Sequence, residues 1–153
     1  MILPRSLHLR TSLVDEGKQF SDPTRYVDAT TIPYVALPKE IADSGGLQLG
    51  DFAFVTNLRN GWSSFAIYAD IGTVGEGSVE LADALGIPSD ARDGGQSDEI
   101  LYVFFPGSGN LRPRTMGEIE SEGETLLSHW GGIKKLSSCS ETDHGSAASE
   151  GPF

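Results

Sequence analysis

Residues 63–88 read SSFAIYADIGTVGEGSVELADALGIP. The opening part alternates with the period of a strand: over Ser64–Asp70, Phe65, Ile67 and Ala69 fall on one face. Asp70 shares the other face with Tyr68 and Ala66. The closing part is a helix in outline. Ser78 suits its N-cap and Glu80 its positive first turn. Leu81, Ala82 and Leu85 form an apolar stripe, Gly86 suits the C′ position, and Pro88 forbids continuation. Between strand and helix runs a Gly-rich connection with a carboxylate at each end, Asp70 and Glu76.

Outward from this unit, Asp51–Asn57 alternates too, with Phe52 and Phe54 facing one way and Ala53 and Val55 the other. Asn60-Gly61 separates the two runs, a strong signal for a hairpin. Ile32–Leu37 lies between Pro33 and Pro38 and reads as an edge strand. Glu99–Phe105 contains ILYVFF, a continuous apolar run expected to be buried on both faces. Met1–Leu13 is a candidate N-terminal strand. A second helix is expected over Met116–Trp130, with Ile119, Leu126, Leu127 and Trp130 inward and Gly123 weakening its middle. Short, turn-separated strands with two helices predict a mainly β fold, a small barrel rather than a parallel α/β sheet.

A chain of 153 residues accommodates one domain, here placed at 1–136. Residues 137–153, SSCSETDHGSAASEGPF, offer almost nothing to a core and are expected to be a disordered tail. No run of about 20 apolar residues occurs, which excludes a membrane-spanning helix. Cys139 is the single cysteine, which excludes an intrachain disulfide framework and a cysteine-based zinc cluster. His8, His129 and His144 are scattered, so neither a metal nor another cofactor is expected. Met1–Val14 lacks the h-region and cleavage site of a signal peptide.

Twenty-two acidic against 11 basic residues give a net charge of -11. Such a surface repels phosphate backbones and anionic lipid, so neither nucleic acid nor membrane is an expected partner; a polycation would be attracted. The same charge also serves plain solubility.

Asp70 and Glu76 stand six positions apart at the ends of a loop containing Gly72 and Gly75. A loop of that kind can fold back and bring both carboxylates to one cleft. Paired carboxylates are what glycosidic hydrolysis requires, one protonated to donate to the leaving oxygen and one ionised to activate water or to attack. Equally, Asp70 could cap a loop and Glu76 could be a solvated acid at a helix start. A phosphate loop is excluded by the absence of a GK[ST] ending and by the flanking negative charge.

The order of motifs resembles the chitosanases of glycoside hydrolase family 75. It runs SDPTRYVDATTIPYVALPKEI, LQLGDFAFV, SSFAIYADIGTVGEGSVELADALGI, then EILYVFFPGSG. The centre of the likeness is Asp70-Ile71-Gly72 followed by Gly75-Glu76-Gly77-Ser78, and Leu126 to Gly132 is similar to the family's C-terminal helix and exit. The resemblance implies endo-hydrolysis of β-1,4-linked glucosamine with inversion, on a double-psi β-barrel-like core, by a secreted protein. It implies that Asp70 and Glu76 are catalytic, by analogy Glu76 as general acid and Asp70 as general base. The substrate would be a cationic, chitosan-like polysaccharide, whose ammonium groups call for carboxylates and whose sugar faces call for aromatics. Asp15, Asp22, Asp28 and Tyr34 are the candidates for that binding role, and Trp62 could stack on a sugar or pack at the hairpin tip. The chain departs from the pattern at Ala69-Asp70, where a GD pair is usual, in a shorter loop between the acids, and in keeping only Val14-Asp15-Glu16-Gly17 of an Asp-rich segment. Those departures motivate alternatives: a non-catalytic module that binds polycationic polysaccharide, a hydrolase of another amino-sugar polymer such as peptidoglycan, or a toxin-like domain.

Overall fold

Strands with apolar residues on both faces need cover on both sides, and that requirement organises this protein. The computed structural model describes residues 10–88 and 99–138. Its strands are β1 (Tyr34–Leu37), β2 (Phe52–Asn57), β3 (Ser63–Ile71) and β4 (Ile100–Phe105). Its helices are α1 (Lys39–Ser44), α2 (Val79–Ala84) and α3 (Met116–Trp130), with a short 3₁₀ turn at Pro23–Arg25. The strands form one mixed sheet in the order β1-β3-β2-β4. β1 runs parallel to β3, and β2 is antiparallel to both β3 and β4.

One core fills the side of the sheet carrying Tyr34, Phe52, Phe54, Ile67, Ala69 and Phe105, against Ile119 and Leu127 of α3. The other lies beneath Val35, Leu37, Ala53, Val55, Ala66 and Tyr68, against Ala42 of α1 and Leu81 of α2. The alternation read from β2 and most of β3 is therefore the alternation between two cores. With both faces covered, the sheet is open among the described residues rather than the closed small barrel expected from its short strands. Among the described residues three named α-helices, not the two expected, flank it. The additional one, α1, starts at Pro38 and stops at Gly45, signals of initiation and termination present in LPKEIADSGG.

The hairpin between β2 and β3 is present, closed by Asn57 N–H donating to the Trp62 carbonyl at 2.8 Å. Gly61 adopts φ 78°, as the turn demands. The side-chain amides of Asn57 and Asn60 both donate to the Leu85 carbonyl, tying the hairpin tip to the end of α2. Trp62 packs over Gly86, where a Cβ would lie 2.9 Å from its ring. β4 differs from expectation. It is an edge strand, so its run ILYVFF is only half-buried except at Phe105. Its apolar residues alternate between the two cores, which explains the unbroken run without full burial.

α2 begins as read, with the Ser78 hydroxyl accepting from Leu81 N–H at 3.2 Å, and Gly86 has φ 66°. α3 spans the expected residues and is capped by Thr115, whose hydroxyl also bonds Glu118. Gly123 is no weak point. A Cβ there would meet the Phe65 ring at 2.5 Å, so the missing side chain lets α3 approach β3. Residues 132–138 continue as helix and bury Leu136 in the first core. Ser137 and Ser138 thus belong to that helix, and the rest of the expected tail lies outside the described residues. So do residues 1–9 of the candidate N-terminal strand. From its remainder, Leu13 N–H donates to the Ala69 carbonyl, and Val14 forms a single bridge with Tyr26.

Candidate active site

The site is built around Ala36 in β1. On one side, Ala36 pairs with Asp70 of β3, after a register jump in which Val35 pairs with Tyr68 and Ala69 is skipped. Such a bulge re-aims the following side chain. Paired residues project to the same face, so Asp70 turns from the Tyr68 side, where strict alternation puts it, to the side of Ala36 and Tyr34. On its other side β1 is paired by the stretch before α2. Val35 bridges Gly77 in antiparallel sense, Ala36 N–H donates to the Glu76 carbonyl at 2.9 Å, and Ser78 N–H donates to the Tyr34 carbonyl at 2.9 Å. That register sets Glu76 directly opposite Ala36. The two acids therefore flank one small residue on one face, their Cα atoms two strand spacings or about 10 Å apart.

Each carboxylate is held on one oxygen. Asp70 Oδ1 accepts from Ser12 N–H at 3.0 Å, the Ser12 hydroxyl at 2.9 Å and Ile71 N–H at 3.0 Å. Glu76 Oε2 accepts from Thr73 N–H at 3.1 Å and lies over Gly72, where a Cβ would stand 2.5 Å from it and 3.2 Å from the Ala36 methyl. Both acids are half-buried, and among the described residues neither forms an ion pair. The Gly-rich connection is thus the cradle of the Glu76 carboxylate, which a side chain at Gly72 would fill.

Tyr34 lies beside this pair but in the core, 3% exposed. Its phenol is pushed up to about 12, by burial first and then by the charges of Asp70 and Asp28. Asp28 closes a turn, accepting from the Thr30 N–H and hydroxyl at 2.9 and 2.7 Å. Asp22 does the same with Thr24, and those bonds hold its carboxyl below the usual carboxylate range. Asp15 accepts from Gly17 N–H and, with Glu16, Asn110 and Arg112, lines a surface cavity of about 260 Å³. Of the residues singled out in the sequence, Asp70 and Glu76 flank Ala36, and Tyr34 feels the charges of Asp70 and Asp28. Asp15 stands further along the extended segment that leaves Ser12, and Asp22 caps the 3₁₀ turn.

Sequence reasoning missed Ser12, Ala36 and Asp51. Asp51 is 1% exposed and accepts from three backbone N–H groups, those of Gln48, Gly107 and Gly109. It fastens the start of β2 to the loop after β4, where Gly109 packs against the Gly50 carbonyl without room for a Cβ. The Gly50-Asp51 and Pro106 to Gly109 motifs are therefore one structural joint, and their co-occurrence was the only signal in the sequence.

Residues 5–128 match the family described as fungal chitosanase of glycosyl hydrolase group 75. No match among curated proteins accompanies it.

Proposed function

The chain belongs to the chitosanases of glycosyl hydrolase group 75, and from that premise we propose that it hydrolyses β-1,4-linked glucosamine within chitosan-like polymers with inversion, through Glu76 and Asp70. Chitosanase-like glycoside hydrolysis and a polysaccharide substrate come with the family. The mechanism and the residues are proposed on one observation: Asp70 and Glu76 both stand opposite Ala36, from the two flanks of β1.

An inverting pair needs its carboxyl groups about 6.5–9.5 Å apart, so that a water fits opposite the leaving group. Acids two strands apart, with only a methyl between them, suit that span. Glu76 donates its proton to the glycosidic oxygen as the bond to C1 breaks. Water attacks C1 from the opposite face, and Asp70 removes its proton. Asp70 Oδ1 is committed to Ser12 and Ile71, so Oδ2 receives that proton. Glu76 Oε2 is committed to Thr73, so Oε1 carries the proton that is donated. A net charge of -11 draws a polycation towards the site. Among the binding candidates, Asp15 contributes a carboxylate beside a cavity, whereas Asp22 and Asp28 also shape turns, and Tyr34 acts from within the core. Secretion follows the family reading.

The test is proton NMR of glucosamine oligomers in the first minutes of turnover. The α-anomer appearing first supports inversion by this pair. The β-anomer appearing first overturns it, and binding without any new reducing end marks a non-catalytic binding module instead.

A further inference from the structure

Ser12 reaches Asp70 across 58 positions of sequence, and both of its donors converge on one oxygen. Its hydroxyl also accepts from Ile71 N–H, at 3.4 Å. We propose that Ser12 is a positioning residue for hydrolysis, orienting the Asp70 carboxylate so that Oδ2 faces the attacking water. This rests on the reading of Asp70 as general base.

The same pincer occurs twice more among the described residues, at Asp22 with Thr24 and at Asp28 with Thr30. Those two are local, two residues apart, and they shape turns. The Ser12 pincer shapes no turn. Nor is its hydroxyl needed to place the segment that carries it. Thr11 and Leu13 on either side are buried, and each is fastened separately. The Thr11 hydroxyl donates to the Leu13 carbonyl at 2.7 Å and accepts from Val27 N–H at 3.0 Å. Leu13 N–H donates to the Ala69 carbonyl at 2.9 Å. The Ser12 side chain itself is exposed, so its removal leaves no cavity. What the hydroxyl adds is a fixed orientation of Asp70, at the bulge where the strand has just turned that side chain over. A carboxylate held by three donors on one oxygen has little freedom to rotate, and a base must be within hydrogen-bond reach of the proton it takes.

The experiment measures chitosan hydrolysis and thermal midpoint for Ser12→Ala, Ser12→Thr, Asp70→Asn and the Ser12→Ala/Asp70→Asn double variant. Ser12→Ala is expected to lower kcat about 10- to 150-fold, from loss of one hydrogen bond to a charged group, with KM within about twofold. Its thermal midpoint stays within about 2 °C. Ser12→Thr restores the rate, as the Thr24 and Thr30 pincers show a threonine can. On the residual rate of Asp70→Asn, adding Ser12→Ala costs nothing further, because the two act as one unit. Loss of activity in Ser12→Thr equal to that in Ser12→Ala, a matching fall in thermal midpoint, or an undiminished loss in the double variant would overturn the proposal. If Asp70→Asn is inactive and Ser12→Ala is as fast as the natural protein, the positioning role alone fails. If Asp70→Asn stays active, the general-base reading fails and the positioning role with it.

Discussion

Glu76 and Asp70 lie directly opposite the same residue, Ala36, from the two flanks of its strand. Neither acid owes its place to the other. Asp70 is set by a bulge in β3 and Glu76 by the isolated antiparallel bridge before α2, so the distance between them is set by backbone bonding to the two flanks of β1.

That arrangement makes Gly72 a sensitive position. A methyl there would sit 2.5 Å from Glu76 Oε2, too close to remain, while the other near neighbour, the Ala36 methyl, is at 3.2 Å. The carboxylate is the mobile end of a flexible side chain and moves first. Gly72→Ala is therefore expected to lower kcat at least about tenfold, since misplacement by an ångström is costly in catalysis. Its thermal midpoint should drop by only a few degrees. Parallel activity and melting measurements check this.

Asp51 gives the opposite pattern, stability without chemistry. Asp51→Ala takes the acceptor from three part-buried backbone N–H groups, and a hydrogen bond to a charged group is worth about 1.5–3 kcal/mol. The expected loss is at least about 3 kcal/mol, measured by urea denaturation. Asp51→Asn keeps an acceptor oxygen and should lose less.

Tyr34 supplies a pH signature. Its phenol ionises near pH 12 in the folded protein, against about 10 when unfolded. Above pH 10 the unfolded chain sheds this proton and the folded one keeps it, so stability present below pH 10 is lost as pH rises towards 12. Denaturation midpoints across that window should fall, and Tyr34→Phe should remove part of the fall. Burial raises the phenols of Tyr68 and Tyr102 as well, so ultraviolet titration should show tyrosinate formation delayed, and Tyr34→Phe should remove its latest step.

Much of this was legible in residue order. Ser78 and Gly86 marked α2 to within a residue, and Asn60-Gly61 marked the hairpin, because caps and turns are local chemistry. The alternation in β2 and β3 separated two cores correctly. It failed at Asp70, since period two carries through a strand only while the register is unbroken, and the skipped Ala69 has no local mark. Gly123 read as a flaw because its partner, Phe65, is 58 residues away. The link from Ser12 to Asp70 was invisible for the same reason. ILYVFF misled in a different way: an edge strand between two cores has the same composition as a strand buried in the middle of a sheet.

Asp70 and Glu76 are proposed to perform the hydrolysis together, and reducing-end release from chitosan by Asp70→Asn and Glu76→Gln tests this. Both substitutions keep the shape of the side chain. Each variant is expected to lose at least about 10²-fold in rate while melting within a few degrees of the natural protein and still binding glucosamine oligomers. Near-native hydrolysis by either variant would contradict it.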